Sequence, residues 1–139
     1  MAAEITLNRL MSNMFATGLL DAQFRQLQML QNGGDPDFVE QVVTLFCEDG
    51  ERIIGEIAKL LNKLDVDFDK VDAFAGELKG SSLCVGAQRV KNTCMQFREF
   101  CQDKSRNGCL NTLYDVRNDF YELRNRFETM LQGHCLKFT

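Results

Sequence analysis

The sequence predicts an all-α protein, an antiparallel up-and-down four-helix bundle with two short N-terminal helices. Apolar residues recur at three- and four-residue steps over most of the 139 residues, which is the period of a helix with one buried face. Short alternating β-branched runs, which are typical of strands, are absent, and Pro36 is the only proline. Amphipathic helices joined by short connections pack most economically as an antiparallel bundle. We therefore expect one domain over residues 1–139, with its bundle core at about 36–131.

The two N-terminal helices are predicted at about Ile5–Thr17 and Asp21–Gln31. Gly18 is a stop signal for the first helix, and the run Asn32–Gly34 favours the end of the second. Because both helices are short, we expect them to cap one end of the bundle.

The third helix has the clearest start signal in the chain. Asp35 can accept hydrogen bonds from free N–H groups, Pro36 suits the first turn because it lacks an N–H, and Asp37 lies at the positive end of the helix dipole. Gly50 and Gly55 weaken the helix without breaking its period. The predicted apolar stripe comprises Val39, Val42, Val43, Phe46, Ile53, Ile54, Ile57, Leu60, Leu61 and Leu64.

Three further helices follow with short connections. The fourth is predicted at about Asp69–Val85, with Gly86 as its stop, and the fifth begins almost at once. Residues 104–108 form the next loop, and the last helix is predicted at about Cys109–Leu131. The apolar stripes comprise Val90, Cys94, Phe97 and Cys101 in the fifth helix, and Leu113, Val116, Phe120, Leu123, Phe127 and Met130 in the last.

Composition and charge exclude several classes of function. A net charge of −4, a pI near 5.0 and scattered Lys and Arg residues do not suit nucleic-acid binding. The cysteines form no Cys-x-x-Cys pair and have no close histidine to complete a zinc site, so we expect reduced thiols, no metal and no cofactor. A protein partner is more plausible. The six cysteines are Cys47, Cys84, Cys94, Cys101, Cys109 and Cys135.

The N-terminal segment lacks the continuous apolar stretch of a signal peptide, because Glu4, Asn8, Arg9, Ser12 and Asn13 interrupt it. No stretch of the sequence approaches the roughly 20 apolar residues that span a bilayer. We therefore expect a monomer in the cytoplasm and nucleus, without membrane association.

The fourth helix carries the most informative run, from Phe74 to Ala87. Its helical period separates two stripes, of which we assign one to the surface and the other to the core. An interior glycine weakens a helix by about 1 kcal/mol relative to alanine, so Gly76 and Gly80 need a reason. Close packing of two helices within the bundle is one reason, and close approach by a partner is another. The surface stripe comprises Ala73, Gly76, Gly80 and Leu83, and the core stripe comprises Phe74, Leu78 and Val85.

This run resembles the signature of plant histidine-containing phosphotransfer proteins, in which a phosphorylatable histidine stands three residues before the lysine of a Lys-Gly-Ser-Ser stretch. Residues 79–82 match that stretch, and Gly76 occupies the histidine position. Ala75 and Glu77 also depart from the usual aliphatic residue and glutamine. The resemblance extends to about Leu131, and it includes residues 19–24, 36–39, 43–46 and 86–92.

The resemblance implies a pseudo-phosphotransfer protein of the cytokinin phosphorelay, which binds receiver domains of hybrid histidine kinases and response regulators without accepting phosphate. Gly76 has no side chain, and no neighbouring residue offers a comparable nucleophile, so we expect no catalytic residue and no enzyme activity. Such a protein would be a competitive negative regulator. The implied docking residues are Ala73, Gly76, Glu77, Lys79, Gly80 and Leu83 on the fourth helix, and Leu20, Gln23, Phe24 and Leu27 on the second.

Individual roles follow from the same resemblance. Lys79 matches the lysine that lies beside the phosphoryl group, and Gly80 matches the glycine that opens the helix surface to a receiver. Ser81 and Ser82 lack a nearby base, so we expect them to hydrogen-bond to carbonyls of their own helix. The apolar residues of the second helix have an alternative role as anchors to the bundle, and Phe24 and Leu27 fit that role best.

Two alternatives remain open from the sequence. The chain could be an active phosphotransfer protein whose histidine was replaced by mutation, although Ala75 and Glu77 argue against a single replacement. It could also be a scaffold that no longer binds receivers, although the retained Lys79 and Gly80 argue against that.

Glu77 and His134 carry separate hypotheses. Glu77 could repel the acidic, Mg²⁺-binding pocket of a receiver or reach toward its metal, or it could be a solvated surface carboxylate. His134, the only histidine, lies beyond the last predicted helix and lacks the Lys-Gly-Ser-Ser context, so we do not expect it to accept phosphate.

Overall fold

The chain forms six α-helices in a computed structural model that describes the backbone of residues 2–138 and the side chains of residues 8–131. No strand occurs within residues 2–138, which confirms the predicted all-α class. The helices are α1 (Ala2–Ala16), α2 (Ala22–Asn32), α3 (Phe38–Leu61), α4 (Phe68–Val85), α5 (Gln88–Gln102) and α6 (Arg106–Phe138).

Helices α3 to α6 form the predicted four-helix bundle. In the ring, α3 packs on α4, α4 on α5, α5 on α6, and α6 on α3. Successive helices are joined by short connections, so neighbours in the ring run antiparallel. Helix α1 packs on α6, while α2 packs on both α3 and α4. The second helix thus lies beside the helix that carries the Gly76 run.

Four phenylalanines from three helices form the centre of the core. Phe24 of α2 lies 5.6 Å from Phe127 between ring centroids, and Phe46 of α3 lies 5.6 Å from Phe120 and 6.4 Å from Phe127. All four are at most 2% exposed. Burying a side chain of this size stabilises the fold by roughly 1.5–3 kcal/mol, so Phe24 fastens α2 firmly to the bundle.

The start of α3 differs from the prediction. Asp35 accepts a hydrogen bond from the Asp37 N–H at 2.9 Å, in a turn before the helix, and the helix itself begins at Phe38. Asp37 is the N-cap but makes no capping hydrogen bond with its side chain. Instead, the side-chain oxygen of Gln31 in α2 accepts from the Val39 N–H at 3.0 Å. The partner for this N–H therefore comes from a neighbouring helix, which the local sequence does not indicate.

The ends of the other helices agree with the prediction in part. Asp67 caps α4 by accepting from the Lys70 N–H at 3.1 Å, and Gly86 ends it in the left-handed conformation, with φ of 76°. The predicted core position of Leu64 is wrong, since α3 ends at Leu61 and Leu64 is 97% exposed. Helix α6 continues to Phe138, so His134 lies within the helix and not beyond it, and its side chain is outside the described residues.

The described cysteines are free thiols. Cys47, Cys84, Cys94, Cys101 and Cys109 form no disulfide, and the Cys135 side chain lies outside the described part of the chain. Across the side chains of residues 8–131, no group of three or more His, Cys, Asp or Glu residues could hold a metal ion. No helix among the described residues is long and apolar enough to cross a membrane.

Candidate functional site

Helix α4 presents one face to the core and one to solvent. Ala73, Gly80 and Leu83 are exposed, as predicted for the surface stripe, and Gly76 is half-buried. We call these four residues, together with the flanking Glu77 and Lys79, the outer face of α4. Phe74, predicted to lie in the core, is only half-buried at its edge. The buried positions of α4 are Val71, Ala75, Leu78, Ser82 and Val85.

Packing within the bundle does not account for the glycines of the outer face. A Cβ atom added to Gly80 would meet nothing within 4 Å. The atoms nearest to one added at Gly76 would be those of the Arg98 guanidinium, whose Cζ and Nη1 would lie 3.4 Å away, an ordinary contact with a flexible side chain. Both glycines therefore leave the surface bare without bringing two helices closer together.

An ion pair between α4 and α5 flanks Gly76 on one side. Arg98 of α5 binds Asp72 of α4 in a two-pronged arrangement, with Nε 3.0 Å from Oδ1 and Nη2 3.3 Å from Oδ2. The hydrogen bond to Asp72 and its negative charge raise the pKa of Arg98 above its ordinary value. Since Asp72 lies one turn before Gly76, this pair holds the guanidinium beside Gly76.

A second ion pair, between α3 and α4, involves Glu77. Nη2 of Arg52 in α3 donates to Oε1 of Glu77 at 2.6 Å, and both side chains are 49% exposed. Such a half-exposed pair contributes less than about 1 kcal/mol to stability. Glu77 is therefore an ion-paired carboxylate, and its negative charge is offset by an arginine of the same surface.

Lys79 and Ser82 extend the site along the helix. Lys79 is half-buried, and its ammonium lies close enough to Cys94 of α5 to oppose the rise in that thiol's pKa, which burial nevertheless raises to about 12. The hydroxyl of buried Ser82 donates to the Leu78 carbonyl at 2.7 Å, as we predicted. Ser82 thus has a local structural role, while Lys79 adds positive charge near the seam of α4 and α5.

The structure corrects the predicted docking role of α2. Leu20, Phe24 and Leu27 are 1%, 0% and 6% exposed, so they cannot contact a partner on the folded protein. Phe24 and Leu27 lie on the face of α2 that packs on α3 and α4, while Leu20 is buried just before the helix begins. Gln23 is exposed and remains a predicted contact residue.

Arg98, Asp72 and Arg52 are the site residues that the sequence analysis missed. Asp72 could have been noticed from its position four residues before Gly76. The two arginines come from neighbouring helices, and pairing them with α4 requires the relative register of the helices. That register depends on tertiary packing and leaves no local signal in the sequence.

Comparison with known proteins places the chain and its fold in a family. A model of the Hpt domain matches residues 41–132. Histidine-containing phosphotransfer protein 1 of Oryza sativa subsp. japonica is 65% identical over 133 residues, which cover 94% of this chain and 90% of the relative. A crystal structure of a histidine-containing phosphotransfer protein from maize is 61% identical, with a TM-score of 0.95, and the match covers 96% of this chain and 98% of that one.

The chain also matches a relative whose name marks it as a pseudo protein. Pseudo histidine-containing phosphotransfer protein 1 of Oryza sativa subsp. japonica is 40% identical over 115 residues, covering 83% of this chain and 62% of the relative. This identity is lower than that with the rice phosphotransfer protein. Overall similarity therefore does not decide whether this chain accepts phosphate, whereas the residues around position 76 bear on it directly.

Proposed function

Because the chain belongs to the family of plant histidine-containing phosphotransfer proteins, we propose that it binds receiver domains without accepting phosphate from them. Proteins of this family are carriers in two-component phosphorelays and interact with the receiver domains of kinases and response regulators. This chain would keep the interaction with receiver domains and would not accept the phosphoryl group from them.

The observation that carries this proposal is that two glycines, Gly76 and Gly80, lie one turn apart on the outer face of α4. Gly76 provides no imidazole, and an in-line attack on an aspartyl phosphate requires a nucleophile at that point. Gly80 weakens α4 without admitting any neighbour within 4 Å. Because Gly80 also lies on the outer face of α4, one turn after Gly76, approach by a partner explains it, which supports retained docking over a scaffold that no longer binds.

The consequence of binding without transfer is competition. A protein that occupies the docking surface of a receiver lowers the concentration of free receiver. The concentration falls by a factor of one plus the ratio of the free protein concentration to the dissociation constant. Phosphotransfer-competent relatives would then find fewer receivers. We propose that the chain acts in this way, as a monomeric negative regulator of the cytokinin phosphorelay in the cytoplasm and nucleus.

The proposal is tested by mixing the protein with a receiver domain carrying a radioactive aspartyl phosphate. We expect a complex in size-exclusion chromatography and no label on this chain after denaturing electrophoresis. Label on the chain would overturn the absence of transfer, and no complex with receivers of either hybrid kinases or response regulators would overturn docking. The rice phosphotransfer protein serves as the matched positive control for both measurements.

The same assay on Gly76→His asks whether the rest of the site can support transfer. A Cβ at this position fits, because its nearest neighbour is the Arg98 side chain at 3.4 Å. Ala75 is buried and faces the core, so it does not obstruct the new imidazole. We expect partial recovery of label transfer, since Glu77 and Arg52 remain beside the histidine.

A further inference from the structure

The guanidinium of Arg98 lies beside Gly76 at the seam of α4 and α5. Its Nη1 atom would be 3.4 Å from a Cβ at Gly76, the position from which the family's histidine projects. Nε and Nη2 are engaged by Asp72. None of the hydrogen bonds made by the described residues uses Nη1, and the side chain is 42% exposed. The site therefore presents an oriented donor toward Gly76.

This arrangement suits a phosphoryl oxygen. An arginine guanidinium matches the geometry of phosphate better than a point charge does, and a hydrogen bond between two ionised groups is about twice as strong as a neutral one. Asp72 fixes the plane of the guanidinium, so little side-chain entropy is lost when Nη1 makes one more bond. The Lys79 ammonium adds a second positive charge one turn further along α4.

We infer that the protein binds phosphorylated receivers in preference to unphosphorylated ones, with Nη1 of Arg98 donating to an oxygen of the aspartyl phosphate beside Gly76. This inference rests on the proposed binding of receivers. Phosphorylation adds a negative charge and new acceptors to the receiver aspartate, and a docked partner brings them against position 76. No bond is formed or broken, and the phosphate stays on the receiver.

The preference follows from the cost of burying a phosphoryl group without a partner. A polar group taken out of water without a hydrogen bond is penalised strongly, and a charged one more so. With glycine at position 76 and no guanidinium beside it, phosphorylation would weaken docking. With Arg98 in place, we expect phosphorylation to strengthen it about tenfold, the effect of one charge-assisted hydrogen bond. The protein would then withdraw the activated receivers from the relay.

The test compares the dissociation constants of the full chain for one rice receiver domain, with and without beryllium trifluoride, which occupies the aspartate as a stable mimic of its phosphate. Isothermal titration calorimetry in Mg²⁺ gives both constants. The variants are Arg98→Gln, which removes the guanidinium donor, and Arg98→Lys, which keeps the positive charge but lacks the planar guanidinium. Arg117→Gln is the matched control, because it removes the same charge from an exposed position of α6, the helix opposite α4 in the ring.

We expect the chain and Arg117→Gln to bind the beryllium trifluoride form about tenfold more tightly, Arg98→Gln to bind both forms equally, and Arg98→Lys to fall between them. Equal affinity of the unaltered chain for both forms would overturn the inference and leave receiver docking intact. An equal loss of preference in Arg117→Gln and Arg98→Gln would also overturn it, because the net charge of the protein would then be the cause. No binding of either form would instead reject the proposed function itself. Thermal unfolding followed by circular dichroism shows whether each variant folds.

Discussion

Gly50 in α3 and Gly80 in α4 are both interior helix glycines, yet the structure gives them opposite surroundings. A Cβ at Gly50 would lie 2.1 Å from Cε2 of the Phe120 ring, whereas one at Gly80 would meet nothing within 4 Å. Gly50 is needed because a buried aromatic ring fills its space. Gly80 is needed by nothing in the described chain. Helix-weakening glycines thus indicate function only when packing does not require them, and only the structure separates the two cases.

The largest expected effect is from Gly50→Ala, which would force the Phe120 ring to move. Phe120 is fully buried and packs on Phe46 at 5.6 Å between centroids, so it has little room to shift. Overpacking of this kind typically lowers the free energy of unfolding by about 1–3 kcal/mol, while the gain in helix propensity offsets about 1 kcal/mol. Urea unfolding followed by circular dichroism measures the difference. Gly55→Ala is the matched control in the same helix, since nothing lies within 4 Å of its Cβ, and it should be stabilising.

The second effect is from Gly80→Leu, which should separate stability from binding. A side chain at this open position improves helix propensity by up to about 1 kcal/mol, so the free energy of unfolding should rise. The same side chain would stand between α4 and a docked receiver, and we expect the dissociation constant to rise more than about tenfold, equivalent to about 1.4 kcal/mol. Unchanged affinity, measured by calorimetry, would show that receivers do not approach Gly80. A loss of stability would contradict the open surroundings of this residue.

The third effect concerns Cys84, which is exposed and lies one turn after Gly80 on the same side of α4. A receiver bound to the outer face of α4 should shield this thiol from alkylation by iodoacetamide. With receiver at three times its dissociation constant, the free fraction, and with it the alkylation rate, should fall about fourfold. Peptide mass spectrometry measures the rate at Cys84 separately from the other thiols.

The control for this footprint is a cysteine introduced in place of Tyr114, which is 67% exposed on α6, the helix diagonally opposite α4 in the ring. Its alkylation should not change with receiver. Cys94 provides an internal reference, because burial raises its pKa to about 12 and the unreactive thiol form persists through the neutral range. Equal shielding at position 114 would argue against docking on α4.

The period of apolar residues was sufficient to predict the fold class and most helix ends. Gly86 ends α4 as its sequence indicates, because its left-handed backbone, with φ of 76°, is readily adopted only by glycine. The predictions were wrong where a contact with another segment determines the local structure. The N–H of Val39 donates to the side-chain oxygen of Gln31 in α2, and no local pattern around Asp35 reveals that contact.

The sequence was sufficient to predict which helix carries the site and which of its residues face solvent. It was not sufficient to predict the arginines that neighbouring helices place beside them. Helical spacing alone assigned Gly80 and Leu83 to the surface. The same spacing could not distinguish a docking face on α2 from a core face, and Leu20 and Phe24 proved to be buried. Arg98 lies 26 residues from Asp72 in sequence, so its place beside Gly76 follows only from the packing of α5 on α4.

The smallest expected effect is from Glu77→Gln, which replaces the carboxylate with a neutral amide of nearly the same shape. Because the Arg52–Glu77 pair is half-exposed at both ends, its loss should change the free energy of unfolding by less than about 1 kcal/mol. Arg52 would then be free to face an acidic receiver pocket, so affinity should increase about two- to threefold at low salt, and this gain should shrink at high salt. Calorimetry with and without Mg²⁺ distinguishes the causes. A gain that appears in both conditions supports release of Arg52, and one confined to Mg²⁺ would show that position 77 reaches toward the receiver's metal. An unchanged dissociation constant in both conditions would mean that Glu77 acts only through its ion pair with Arg52 of α3. Gly80 and Arg98 would then determine how tightly the outer face of α4 binds a receiver.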